Sequence, residues 1–380
     1  MNTKIKVLHV ITHLPIGGAQ DNTLYTVELL DKKKYDISLC CNLDGELVER
    51  AKNIEDIKIF DIPFLCREVT LYNDLRAFLS LYKLVKKENF DIIHTHSSKA
   101  GLLARLAAKL NETPVIIHTI HGFAFNDFMN VFKKNLFILL EKILARWTDV
   151  LITVSNLNKK KIVDLNIAKE KNIKNIYSGI DLKLFTNKRN YEFRKELNLD
   201  VDKLLIGSVG RLSHQKDPIT MINAFDIVSK KFPDVHLVLV GDGRLKEKII
   251  EKIDQLKLNN RIHLTGNKNN PWDVYHSLDL FIMSSIYEGL GRSITEALSC
   301  GVPVVCTAVE GVPEIIKDDI TGILVPPKDS NKLADGIIRP LIDMESAKIK
   351  AEEGRRFVQD NFDVNKMVED IDALYHSFIK

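Results

Sequence analysis

Five cysteines stand in the 380 residues, Cys40, Cys41, Cys66, Cys300 and Cys306, and none forms a C-x-x-C pair or a Cys/His ligand spacing. These spacings speak against disulfides and against a zinc site, and the odd count reads as reduced, mostly buried thiols of a cytoplasmic protein. Long apolar runs are also missing: no stretch reaches the ~18 residues that a spanning helix needs, and Ile5–Val10 is too short for a signal-peptide core. The sequence therefore predicts a soluble chain, or one that at most lies on a membrane. Charge of one sign is scarce too. The 54 basic residues are offset by 51 acidic ones and are spread along the chain, for a net charge of +3, so the electrostatic footprint of a nucleic-acid binder is absent.

What is present is an ordinary folded composition, 45% apolar and 28% charged. The length exceeds the ~250–300 residues at which one core stops growing, so two domains are expected. Short Val/Ile-rich runs recur at Lys6–Ile11, Ile37–Cys41, Ile57–Ile62, Ile92–His94, Val115–Ile120 and Val150–Val154. A second series follows at Leu204–Val209, His236–Val240, Ile262–Leu264, Leu280–Met283, Pro303–Cys306 and Gly322–Val325. Each run leads through polar or Gly-rich turns into helix-period segments, the pattern of a parallel sheet with crossover helices. The chain reads as α/β with two sheets wound in succession: domain 1–185, domain 186–364, a linker within Ser178–Lys203, and a last helix at about 365–380 that could pack on either domain.

Candidate chemistry falls at the ends of these strands. Gly17-Gly18 opens the helical segment Asn22–Leu30, where a helix N-terminus can meet an anion; a tight turn without a ligand is the plainer reading. In the second half, Gly210-Arg211 and then Lys216 place two cations on one loop, able to neutralise a diphosphate by a guanidinium fork and a mobile point charge, although each alone suits a solvated surface. Histidines cluster at His94/His96 and His118/His121. Their spacing could hold a metal, but no cysteine or carboxylate set accompanies them and no metal is expected. His121, beside Gly122 at a strand end, suits a polar group facing a substrate; His118 suits the sheet interior equally well.

The stretch EGLGRSITE at 288–296 carries two glutamates. Gly289 and Gly291 keep Glu288 on a loop, while Ser293-Ile-Thr-Glu296 has the form of a capping box that starts a helix ending near Cys300. The backbone N–H groups from Leu290 through Gly291 and Arg292 to Ser293 would then be offered to a phosphate. Glu296 keeps two readings, helix cap or ligand contact.

The ordered set of Gly17-Gly18-Ala-Gln20, His121-Gly122, Asn175–Asp181, Gly210-Arg211 with Lys216, Val240–Gly243, and Glu288-x7-Glu296 followed by Glu310–Ile315 resembles the retaining glycosyltransferases of family 4, over nearly the whole chain. The resemblance implies a GT-B fold, two Rossmann-like doubly wound domains facing a central crevice. It also implies a nucleotide-sugar donor, UDP-linked by the habit of this branch, and transfer of a hexose or N-acetylhexosamine to a glycan or lipid-linked saccharide in surface polysaccharide synthesis. Gly17, Gly18, Arg211 and Lys216 would meet the donor diphosphate, Glu296 the ribose, Glu288 and His121 the transferred sugar, and the loop around Gly266 the base. Arg292-Ser293 stands where many members have Leu-Pro, and Ser178 replaces a common Asn.

Cations at the leaving diphosphate would replace a metal, and the two D-x-D matches, Asp200–Asp202 and Asp370–Asp372, read as surface charge. Competing readings are a glycoside hydrolase with Glu288 and Glu296 as acid and base, a sugar-nucleotide epimerase, and a catalytically silent nucleotide-sugar-binding subunit. Residues 130–147 combine an apolar stripe with Lys133, Lys134, Lys142 and Arg146, which suits either a peripheral contact with the cytoplasmic membrane face or a core helix.

Overall fold

The computed structural model describes residues 4–126 and 128–378. The chain divides into two compact units, the first formed by residues 1–179 and 364–380 and the second by residues 180–363. In the first unit seven strands, β1 (Ile5–His13), β2 (Tyr35–Asn42), β3 (Ile57–Asp61), β4 (Ile92–His96), β5 (Val115–Ile120), β6 (Val150–Thr153) and β7 (Ile173–Asn175), lie in the order β3-β2-β1-β4-β5-β6-β7. Every pairing is parallel. The second unit orders β8 (Leu204–Val209), β9 (Val235–Val240), β10 (Ile262–Gly266), β11 (Leu280–Met283), β12 (Val304–Thr307) and β13 (Ile323–Val325) as β10-β9-β8-β11-β12-β13, also all parallel. Both are doubly wound sheets, and in each the strand order reverses beside the first strand, between β1 and β4 and between β8 and β11. Ligands of such sheets bind outside the carboxyl ends at that point.

Continuous apolar strands follow from burial on both faces. Val7 and Ile92 face one layer, with the helices Gly18–Leu29 and Val364–His376, while Leu8 and Ile93 face the other, with Leu71–Glu88 and Ser98–Leu110. The final helix thus belongs to the first unit, which it joins through Val364, Met367, Val368, Ile371 and Tyr375.

The passage between the units falls at Gly179–Ile180 rather than near 185, and residues 180–203 are packed into the second unit instead of forming a loose linker. Phe185 and Phe193 are buried, and the buried Arg194 pairs with Asp279 at 2.6 Å while donating to the Ser277 carbonyl at 2.9 Å. Ser178, at the variant position of the turn, accepts from the Asn22 amide at 2.9 Å, and the Gly179 N–H meets Met367 Sδ at 3.2 Å. That turn is a structural pin.

Candidate active site

In the second unit, the chemistry-bearing residues gather at strand carboxyl ends. After β8 the chain turns at Gly210, whose φ of 156° is matched by a φ of 139° at Gly241 after β9. A Cβ on Gly241 would stand 2.1 Å from the Gly210 carbonyl oxygen, so the two turns touch through bare backbone. Arg211 is exposed on the following loop, and Lys216 is half-buried at its end.

The loop after β11 is locked to this one. Ser284 Oγ donates to the carbonyls of Lys216 and Asp217 at 2.8 and 2.9 Å, and the Ile286 N–H donates to the Gln215 carbonyl at 2.8 Å. Glu288, only 6% exposed, accepts from the Lys216 ammonium and from Ser285 Oγ, the latter at 2.7 Å. Its own N–H donates to the Glu310 carboxylate at 3.0 Å. Glu310 holds a left-handed φ of 39°, and the adjoining Gly311 sits where a Cβ would come within 2.3 Å of the Gly289 carbonyl. The loops after β8, β11 and β12 therefore brace one buried carboxylate.

The helix Arg292–Ser299 starts from Gly291 at φ 96°, with no side-chain cap. This overturns the capping-box expectation. A left-handed glycine turns the chain into the helix early enough that Ser293 is already inside it, and Ser293 Oγ is buried with no hydrogen-bond partner among the described residues. Glu296 is instead paired sideways, with the Arg292 guanidinium one turn back at 3.1 Å and with the Tyr275 hydroxyl at 2.8 Å. Burial and the Glu296 charge push the Tyr275 hydroxyl well above its ordinary pKa, so it stays a donor. The first turn holds no acidic residue; an arginine beside a positive helix end is unfavourable for the helix alone and favourable for an anion. Leu290 is buried at the foot of this turn, and Gly266 ends β10 at φ 69° with open space where a side chain would stand.

In the first unit, Gly17 is the extended N-cap of the helix Gly18–Leu29, whose first-turn Asp21 is engaged by Arg50 at 2.9 Å. His121 follows β5. In the parallel register His9 pairs with His94 and His96 with Thr119. Because side chains alternate along a strand, His9, His94, His96, Thr119 and His121 share one face. Burial pushes His9 down to about 3 and His121 to about 4, and holds His94 and His96 well below the usual imidazole value. His9, His94 and His96 bring their ring nitrogens within 4.8 Å of one another, a trio able to hold a metal ion. His118 points to the opposite layer, with Nδ1 2.8 Å from Thr95 Oγ1, and is a core histidine.

A model of group 1 glycosyl transferases matches residues 190–357, and one of glycosyltransferase family 4 matches residues 16–184. The chain is 32% identical to the UDP-Gal:alpha-D-GlcNAc-diphosphoundecaprenol alpha-1,3-galactosyltransferase of Escherichia coli, with 98% of this chain and 97% of that protein covered. The chain belongs to the family 4, group 1 glycosyltransferases. The capsular polysaccharide biosynthesis glycosyltransferase CapM of Staphylococcus aureus is 28% identical over 99% of this transferase and 98% of its own length. Anabaena Alr3699/HepE, solved in complex with UDP and glucose, superposes with a TM-score of 0.84 at 20% identity, covering 98% of this chain and 100% of that one, which places the two Rossmann-like units in the GT-B fold.

Of the residues the transferase sequence singled out, the second unit gathers Arg211, Lys216, Glu288, Leu290, Gly291, Arg292, Ser293 and Glu296 at the ends of β8 and β11, with Gly266 at the end of β10. The first unit sets Gly17, Gly18 and His121 at the ends of β1 and β5. Three supports escaped sequence reasoning: Ser285, Tyr275 and Glu310. Glu310 had a signal, because it lies in the Glu310–Ile315 motif; Tyr275 had none, since its contact with Glu296 is tertiary.

Proposed function

We propose that this transferase moves a hexose or N-acetylhexosamine from a UDP-sugar to a lipid-linked saccharide, with retention of anomeric configuration and without a metal. The observation that carries the reading is the assembly at the carboxyl ends of β8 and β11: Arg211 and Lys216 on one loop, Glu288 braced on the next, and an arginine-led helix N-terminus behind it. As the glycosidic bond breaks, charge grows on the departing diphosphate, and cations and helix amides already in place stabilise it. Glu296, fixed by Tyr275 and Arg292, is the acceptor for the ribose hydroxyls. Glu288 and His121 are assigned to the transferred sugar, and Gly17 and Gly18 to the diphosphate, as the family resemblance implies. Glu288 already accepts from Lys216 and Ser285, which argues against a freely attacking nucleophile and for same-face departure and attack. The separate partner sets of Glu288 and Glu296 also disfavour a hydrolase's acid-base pair.

UDP-galactose is the first donor to test and an N-acetylglucosaminyl diphospho-lipid the first acceptor, because the relative that is 32% identical over almost the full chain uses them. A UDP-sugar at 100 times its dissociation constant should stabilise the fold by about 2.7 kcal/mol, while GDP- and ADP-sugars should not. NMR of the product should show the donor's anomeric configuration, and a chelator should leave the rate unchanged. Cleavage of simple glycosides without nucleotide binding would defeat the proposal.

A membrane-borne acceptor fits the helix Val131–Ala145. Arg105, fully buried, holds it by a two-pronged pair with Glu141 at 2.8 and 3.2 Å, yet Phe132, Leu136, Leu139 and Ile143 are exposed along one face, with Lys133 exposed nearby. The core-helix alternative does not describe this face. The helix Leu71–Glu88 also packs on Ser98–Leu110 and exposes Leu71, Leu75 and Leu79. No described helix is long and apolar enough to cross a membrane; two exposed apolar stripes suit a peripheral contact.

A further inference from the structure

Four histidines of the first unit, His9, His94, His96 and His121, lie on one continuous line of hydrogen bonds with Thr119 and Tyr375. Thr119 Oγ1 lies 2.7 Å from His94 Nε2, and His94 Nδ1 lies 2.6 Å from the Tyr375 hydroxyl. That hydroxyl is 3.3 Å from His9 Nε2; His9 Nδ1 is 3.1 Å from His96 Nε2, and His96 Nδ1 is 3.1 Å from His121 Nε2. Every ring nitrogen of the three inner histidines has one partner. All three are 0% exposed, with no carboxylate among the described hydrogen-bond partners of the line, surroundings that favour the uncharged ring, and a neutral imidazole has one donor and one acceptor nitrogen. Fixing the direction of one bond therefore fixes them all.

One end decides it. Among the described residues the buried Thr119 hydroxyl has one hydrogen-bond partner, His94 Nε2. If that nitrogen carried the proton, the threonine O–H would be left unpaired in the interior, which is unfavourable. Thr119 therefore donates to His94 Nε2, His94 Nδ1–H to Tyr375, Tyr375 O–H to His9 Nε2, His9 Nδ1–H to His96 Nε2, and His96 Nδ1–H to His121 Nε2.

We infer that this relay locks His121 in the tautomer protonated at Nδ1, so that it presents an N–H donor instead of a lone pair, with Thr119, His94, Tyr375, His9 and His96 as positioning residues. Among the described residues His121 Nδ1 has no hydrogen-bond partner, which leaves this N–H for a ligand. The helix Val364–His376 thus returns to the first unit with a chemical purpose, because Tyr375 closes the line. The step from tautomer to catalysis rests on the role proposed for His121; the tautomer itself does not.

The test is long-range 1H–15N NMR of the full chain labelled at histidine, with His121→Asn to assign the signal. The expected spectrum shows a pyrrole-type Nδ1 and a pyridine-type Nε2 at His121. Thr119→Val, close in shape but without the donor, should admit the Nε2–H form and lower kcat about 3- to 10-fold, the worth of one hydrogen bond, with the donor KM little changed; Thr119→Ser should restore both. An Nε2–H tautomer in the unaltered protein would overturn the inference. So would stoichiometric zinc retained on His9, His94 and His96, because the nitrogens would then be ligands. A switched tautomer with unchanged kcat would overturn the positioning role and leave the transferase reading standing.

Discussion

Glu288 accepts a hydrogen bond from the Lys216 ammonium across 72 residues of sequence, and this ion pair ties the loop after β8 to the loop after β11. Its members are not interchangeable in their consequences. Lys216→Ala leaves a nearly buried carboxylate with Ser285 as its one hydrogen-bond donor among the described residues and should destabilise the second unit by about 1–3 kcal/mol. Glu288→Gln keeps the Ser285 contact and should cost less. Both should lower kcat at least ~10-fold if they act in the transition state. Urea unfolding and steady-state kinetics on the two variants separate the effects; full activity in both would remove them from the chemistry.

Glu296 gives a different pattern. With Tyr275 and Arg292 each holding the carboxylate, Glu296→Ala should raise the donor KM about 10-fold or more by removing the charged acceptor proposed for the ribose. Tyr275→Phe removes only the orienting donor and should raise KM by a smaller factor. Competition by UDP against both variants checks this: unaltered UDP affinity in Glu296→Ala would return the residue to a structural role.

The strands were legible because burial on both faces writes them as short Val/Ile runs, and the strand-end position of Arg211, Lys216 and Glu288 followed from that. The helix start at Gly291 was not legible. Ser293 and Glu296 have the spacing of a capping box, and only the backbone angle of Gly291 shows that the helix begins before Ser293. β7 was hidden because an edge strand of three residues leaves too little periodicity. The histidine relay was hidden for another reason: His94 and His96 are two apart on one strand, but His9 joins them through parallel register and Tyr375 through a helix nearly three hundred residues away.

Buried neutral histidines make the first unit acid-sensitive. The His9 value falls from 6.5 to about 3 on folding, so between these values the unfolded chain binds the extra proton. Stability is fully present above pH 6.5 and is lost as pH falls toward 3. His9 alone should cost about 2 kcal/mol on going from pH 7.5 to 5, and His94 and His96 act in the same direction. Trp147 lies in the first unit and Trp272 in the second. Trp272→Phe therefore leaves a fluorophore reporting the first unit, and Trp147→Phe one reporting the second. Burial also lowers His236, to about 4, and His263 and His276 in the second unit, so both urea midpoints should fall with acid, the first-unit reporter's more steeply; a first-unit midpoint that did not fall would count against buried neutral histidines.

The exposed stripe on the helix Val131–Ala145 separates hydrophobic from electrostatic attachment. Phe132→Ser with Leu136→Ser removes two apolar side chains that solvent already reaches, so the Arg105–Glu141 anchor should hold the helix in place and the thermal midpoint should change little. Vesicle binding should fall at least about 100-fold, because each of the two large side chains buried in the interface is worth roughly 1.5–3 kcal/mol. Lys133→Gln with Lys134→Gln should weaken binding to anionic vesicles about 30-fold and leave binding to neutral vesicles unchanged, since each cation near an anionic surface contributes about 1 kcal/mol. Co-sedimentation with vesicles of the two compositions reads both effects. Binding that ignored all four substitutions would move the proposed membrane contact away from this helix, and the stripe at Leu71, Leu75 and Leu79 would be the next surface to alter.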